Sequence, residues 1–200
     1  MNDEPASSDP TATVSPKKFA HVVLRSRGRY DEMIQWYQTV LNARIVVQAP
    51  HMTFLTYDDE HHRIAIVNMP HANPHDPNAE GLDHLSFTYE SLAGLLATYA
   101  RLKATGIEPF CPVNHGPTTS LYYHDPDRNR VELQIDNFDD PDECTEIMKN
   151  LEANPIGVLF DPEELAERLA AGATEKELVQ MTAEEIGPLD PKLVELITVP

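Results

Sequence analysis

The sequence predicts an α+β chain: two successive βαβββ modules whose mixed sheets curl together into a cup, followed by a helical C-terminal extension. Three observations lead there. Short stretches alternating apolar and polar residues, the period-two signature of half-buried strands, occur at about 18–25, 43–49, 51–57 and 62–68. The same series returns at about 82–89, 108–114, 118–124 and 130–136. In each series a stretch with helical apolar spacing follows the first strand, so the second half repeats the order of the first without obvious sequence identity.

Each element has its own justification. Residues 1–16 are rich in Pro, Ser, Thr and Asp and read as a mobile tail. The first helix, about 29–41, carries Met33, Trp36, Tyr37, Val40 and Leu41 on one stripe. A Pro- and His-rich loop, 69–81, ends the first module, which spans about 17–69. The second helix, about 91–104, aligns Leu92, Leu95, Leu96, Tyr99 and Leu102. The last two strands of the second module, about 82–136, are joined by Asp125-Pro126-Asp127-Arg128-Asn129, a turn by composition. Each sheet has one apolar face for its helix, and the partly polar face is buried if the two sheets form a common cup. The paired modules make a domain over 17–137, and the extension covers 138–200. Asp161-Pro162 starts a helix there, and Thr174 to Glu177 and Thr182 to Glu185 fit capping boxes. Short helices need packing to persist, so this extension should clasp its own domain or a neighbouring subunit.

Charge and cysteine content narrow the function. Fifteen Lys and Arg stand against 33 Asp and Glu, for a net charge of -18. That argues against partners such as nucleic acid or an anionic membrane held through a basic surface. Two cysteines, Cys111 and Cys144, form no CxxC pair, which fits a reducing, cytoplasmic setting. No signal-peptide layout and no apolar run of about 20 residues is present.

Three strand residues carry the chemistry. His21 lies opposite Ala20, Val22 and Leu24; His84 shares a polar face with Ser86 and Thr88; Glu132 shares one with Gln134 and Asp136. Two histidines and one carboxylate presented from strands are the ligand set of a non-haem Fe(II) oxygenase. The expected metal ligands are therefore His21, His84 and Glu132, with Fe(II) as the metal and Mn(II) as a substitute this ligand set separates poorly.

These residues and their setting resemble the vicinal oxygen chelate superfamily, and within it the type I extradiol ring-cleavage dioxygenases. The carrying segment is Val113 to Glu132. It holds His115, then the aliphatic-Tyr pair Leu121-Tyr122, then a turn with Pro126, then Glu132. Arg128 departs from the pattern, which usually has Gly or Pro there. That departure bears on the local backbone more than on the chemistry. A second segment, His61-His62-Arg63-Ile64-Ala65, resembles the strand that supplies an outer histidine. The resemblance implies His62 as the acid–base residue, with His61 the alternative, His115 orienting a substrate oxygen, and Tyr122 placing a hydroxyl on it. It covers about 18–137 and implies a single-domain Fe(II)-dependent dioxygenase. The implied partners are a catechol-type substrate and O2, and a homodimer is the default assembly.

Two other readings compete. A glyoxalase-like isomerase usually brings a fourth ligand from the last strand of the first module, but Ile64-Ala65-Ile66-Val67-Asn68 has no carboxylate. A non-catalytic binder of small aromatic compounds leaves the three ligands, His62, His115 and Tyr122 without a task.

Overall fold

The computed structural model describes residues 13–76 and 79–198. The expected mobile tail over 1–16 falls largely outside the described residues. The first module is β1 (Val22–Ser26), α1 (Tyr30–Leu41), β2 (Arg44–Ala49), β3 (Met52–Thr56) and β4 (Ile64–Asn68). The second is β5 (His84–Thr88), α2 (Leu92–Lys103), β6 (Cys111–Asn114), β7 (Thr118–His124) and β8 (Arg130–Asp136). The extension contributes α3 (Pro141–Lys149), β9 (Val158–Leu159), α4 (Pro162–Ala170), α5 (Glu175–Val179), α6 (Ala183–Ile186) and α7 (Pro191–Thr198).

The tandem repeat is realised in the sheet topology. The first sheet has the order β1-β4-β3-β2 and the second β5-β8-β7-β6-β9. In both, the first strand runs parallel to the last of its module, and the helix makes the crossover. The first strand starts four residues later than its sequence pattern suggests. The Arg63 guanidinium donates to the carbonyls of Phe19 (2.8 Å) and Ala20 (3.1 Å), so these groups are satisfied outside a strand ladder. His21 therefore precedes β1, while His84 opens β5.

One core joins both modules and the extension. Tyr37, Val40, Leu55, Ile64 and Ile66 of the first module pack in one cluster with Leu92, Leu95, Leu102, Tyr123 and Leu133 of the second. Leu165, Leu178 and Val179 from α4 and α5 belong to the same cluster. The extension thus clasps its own domain. Asp161, Thr174 and Thr182 cap their helices, and both capping boxes form. The strand β9 has no counterpart in the expected all-helical extension. Its two residues pair with β6 through Val113 and Asn114. Gly157 permits this approach: its φ is +117°, and a Cβ there would lie 2.1 Å from the Asn114 carbonyl oxygen.

The expected common cup differs in one respect. The second sheet's polar face is partly covered by Ile156, Leu159 and α7, which gather around Cys111 and Val113. The first sheet's outer face stays open within the chain. All six residues of β2 are exposed, as is Val23 on β1. The apolar faces and both helices have merged into a single core, and among the described residues the first sheet's other side stays exposed at β2 and Val23.

Candidate metal and substrate site

Glu132 is the centre of the site, and the sheet register explains why. On β8 it is flanked by β5, where Ser86 is its partner, and by β7, where Tyr122 is. Its neighbours Val131 and Leu133 point into the core, so period two sends the Glu132 carboxylate to the other face, where it is 4% exposed. His84 reaches it from β5: Nε2 lies 3.2 Å from Oε2. Tyr122 donates its hydroxyl to Oε1 at 2.9 Å. His115 lies beyond, with Nε2 3.0 Å from the same hydroxyl.

Burial by itself would raise the Glu132 carboxyl. Hydrogen bonding, led by His84, outweighs it and holds the group at about 2. The hydrogen bond to Glu132 raises His84 to about 9 against its own burial, with Asp83 adding to the effect. Burial, then the Glu132 charge, pushes the Tyr122 hydroxyl well above the ordinary phenol range. Burial lowers His115. The His115 ring is oriented by the Ile156 carbonyl, which contacts Nδ1 and can only accept. Nδ1 therefore carries the proton, and in the neutral ring Nε2 is an acceptor facing Tyr122.

Sequence reasoning missed three supports. Asp83 Oδ2 holds His84 Nδ1 at 2.7 Å, the outer carboxylate that commonly fixes a ligand imidazole. The Asp-His dipeptide was a signal for it. Ile156 and Ile197 come from the extension and had no local signal at all. They wall a cavity of about 220 Å³ beside Phe110, His115 and Tyr122. A second cavity, about 270 Å³, shares Asp83, His84 and Arg130 with the first and is lined further by Leu24, His75 and His124. His124 stacks on Phe110 with ring centroids 4.2 Å apart.

The remaining expected site residues lie beside the first sheet, just ahead of β1 and β4. His21 packs on His62, with centroids 4.4 Å apart, and His62 also meets Phe54 and His61. Burial, then His21 and His61, lowers the His62 pKa. So the structure brings His84, Glu132, His115 and Tyr122 together, and separately pairs His21 with His62. Among the described residues, no group of three or more His, Cys, Asp or Glu side chains could hold a metal ion within the chain. His84 and Glu132 suit two positions of a facial His/His/carboxylate set.

Known proteins can now be set beside this geometry. The family model described as "Glyoxalase/Bleomycin resistance protein/Dioxygenase superfamily" matches residues 18–133. "Biphenyl-2,3-diol 1,2-dioxygenase 2" of Rhodococcus globerulus is 50% identical over 163 residues, 80% of this chain and 85% of that protein. "Biphenyl-2,3-diol 1,2-dioxygenase 3" of the same organism is 47% identical over 170 residues, 83% of this chain and 88% of that protein. Among solved structures, a glyoxylase/bleomycin resistance protein/dioxygenase domain from Frankia sp. EAN1pec shares the fold at TM-score 0.51 and 24% identity. It covers 61% of this chain and 99% of that one. The matched region runs from before β1 into β8, over more than half of the chain, and the chain belongs to the Glyoxalase/Bleomycin resistance protein/Dioxygenase superfamily.

Proposed function

We propose that this protein is an extradiol dioxygenase that opens the ring of a biphenyl-2,3-diol or a similar aryl-substituted catechol. The ring is cut next to, rather than between, the two hydroxyls, and both atoms of O2 enter the product. The observation that carries this reading is the 50% and 47% identity, along most of the chain, to proteins of that named activity. A divalent metal, Fe(II) with Mn(II) as the alternative, would supply the charge that favours the ionised diol and the place where it meets O2. The chain's own residues bind, orient and move protons. His84 and Glu132 would be metal ligands, with Asp83 holding the His84 ring. Tyr122 stays protonated and offers its hydroxyl to a substrate oxygen, and His115 Nε2 accepts from that hydroxyl or from the substrate. His21 is the third expected ligand and His62 the expected acid–base group. The two adjoining cavities suit a two-ring substrate, with apolar contacts from Phe110, Ile156 and Ile197 on one side.

The test is anaerobic reconstitution with Fe(II), followed by oxygen uptake and ring-fission absorbance on 2,3-dihydroxybiphenyl, 3-methylcatechol and catechol. The expected result is one O2 consumed per diol with a yellow product, fastest on the biphenyl diol. Metal-loaded protein that consumes no oxygen on any of the three overturns the reading. Turnover of a glutathione hemithioacetal instead would establish the isomerase.

A further inference from the structure

We propose that Arg130 is a positioning residue of the site: one nitrogen of its guanidinium joins the last turn of α7 to Asp83, and so ties the wall of the cavity beside Tyr122 to the imidazole of the expected ligand His84. This deepens the dioxygenase reading and rests on it.

The sheet register puts Arg130 there. It lies two residues before Glu132 on β8, so it shares the polar face of the second sheet. Its cross-strand partners are His84 on β5 and His124 on β7. Nη1 donates to the Ile197 carbonyl at 2.7 Å and lies 3.4 Å from Asp83 Oδ1. The other oxygen of that carboxylate, Oδ2, holds His84 Nδ1 at 2.7 Å, and His84 Nε2 lies 3.2 Å from Glu132 Oε2. A continuous series of contacts therefore runs from the C-terminal helix to the centre of the site.

Asp83 needs such a partner. Its side chain is 69% exposed, and an isolated ion pair at that exposure adds little order. Arg130 differs because it is itself anchored. Its side chain is only 17% exposed, and its guanidinium carbon lies 5.8 Å from the centre of the Phe110 ring. The Ile197 carbonyl takes one of its protons. Fixing the guanidinium fixes the carboxylate, and the carboxylate fixes the ring plane and tautomer of His84.

The same contact reaches the substrate cavities. Arg130, Asp83, His84 and Ile197 line both. Leu193 of α7 is fully buried and packs with Cys111 and Val113, so packing seats one end of α7 and Arg130 the other. In the proposed reaction the second ring is the part of a substrate that meets Ile197, and unsubstituted catechol lacks it. Arg130 thus couples recognition of the second ring to the geometry of a metal ligand.

The test is the Mn(II) affinity of the full-length protein, followed by the paramagnetic resonance of the free ion. Charge and positioning predict opposite signs. Arg130→Gln removes a positive charge from beside a cation site, which by itself tightens binding. Loss of His84 orientation weakens it. The expected result is a weakening of about 10-fold, the low end for an outer residue of a metal site. In an Asp83→Ala background Arg130→Gln should weaken binding no further. Unchanged or tighter binding by Arg130→Gln overturns the proposal, as does an equal loss with and without Asp83, or a wild type that binds no Mn(II). If Arg130→Gln does not fold, Leu193→Ala loosens α7 from its other end. Mn(II) binding should again weaken, and an unchanged affinity overturns the proposal. With Fe(II) loaded, Arg130→Gln should lose about 10-fold more kcat/KM on 2,3-dihydroxybiphenyl than on catechol, the scale of one small apolar contact. Equal losses on the two diols overturn the link through α7. The two readings fail separately. The expected Mn(II) pattern without any diol turnover by the wild type sinks the dioxygenase and leaves the role of Arg130. Diol turnover by the wild type with Mn(II) affinity unmoved by Arg130→Gln does the reverse.

Discussion

Tyr122 has one proton and two acceptors, Glu132 Oε1 at 2.9 Å and His115 Nε2 at 3.0 Å. A hydroxyl so placed can turn from the Glu132 carboxylate to another acceptor without moving its ring. Removing it as Tyr122→Phe leaves the ring contacts with His84 and Phe110 intact. The expected loss is about 10- to 100-fold in kcat on the biphenyl diol, the scale of a hydrogen bond to a charged group at about 1.5–3 kcal/mol. Metal content should be unchanged, and steady-state oxygen uptake with parallel metal analysis checks both. Arg128 is a residue-scale finding of another kind. It departs from the family pattern in the turn before Glu132, and the structure places it at φ 71°, the left-handed region. Its backbone N–H still closes the turn onto the Asp125 carbonyl at 2.9 Å. A side chain there costs about 1–2 kcal/mol, while glycine loses about 0.5–1 kcal/mol more chain entropy. Arg128→Gly should therefore stabilise by about 0.5–1 kcal/mol, seen as a raised Tm, and an unchanged or lower Tm would contradict this account.

At the scale of elements, the extension works through backbone groups as much as through apolar contacts. Helix α2 begins at Ser91, whose hydroxyl takes only the Gly94 N–H. The two N–H groups ahead of it, Leu92 and Ala93, are taken by the Glu175 carboxylate from α5, at 3.0 and 2.9 Å. This places a negative charge at the positive end of a helix dipole. Glu175→Ala should cost about 1–2 kcal/mol, the worth of a helix cap plus its charge. A lower urea midpoint with an unchanged slope would bear this out, and an unshifted midpoint would not. A second tie is the buried amide cluster. Asn114 and Asn137 both donate to the Val179 carbonyl, at 2.8 and 3.1 Å, and Gln180 donates back to the Asn137 carbonyl at 2.7 Å. These bonds cross from the extension to β6 and to the end of β8. They hold the end of α5 in register on the second sheet.

On the scale of the whole molecule, the boundary near residue 138 separates two compositions but not two bodies. Leu165, Leu178 and Val179 are buried in the cluster that holds both modules. The Ile156 carbonyl orients a site histidine, and Arg130 donates to the Ile197 carbonyl at 2.7 Å, which seats α7 over the cavity beside Tyr122. An acidic, helical segment that looks like an appendage from its composition is thus part of the wall of the cavity beside Tyr122. The open first sheet is the counterpart. The extension packs on the second sheet, while β2 and Val23 of the first sheet stay exposed among the described residues.

Local rules were enough for much of this. Period-two and helical spacing located every element of both modules, because those periods are imposed by the backbone itself. Cap residues located the starts of α4, α5 and α6 for the same reason, while α3 and α7 were not anticipated. Alternation set Glu132 and His84 on the polar faces of what are neighbouring strands, whereas His115 and Tyr122 were expected from the family resemblance alone. What alternation cannot report is which sheet faces which. The expected strand held His21, but in the structure His21 precedes β1, and its position relative to Glu132 depends on how two sheets dock, which is decided by the shared core of Tyr37, Leu55, Leu95 and Leu133. The same holds for β9, Ile156 and Ile197. Their roles come from contacts across long sequence separations, which no local pattern encodes and only the packed molecule selects.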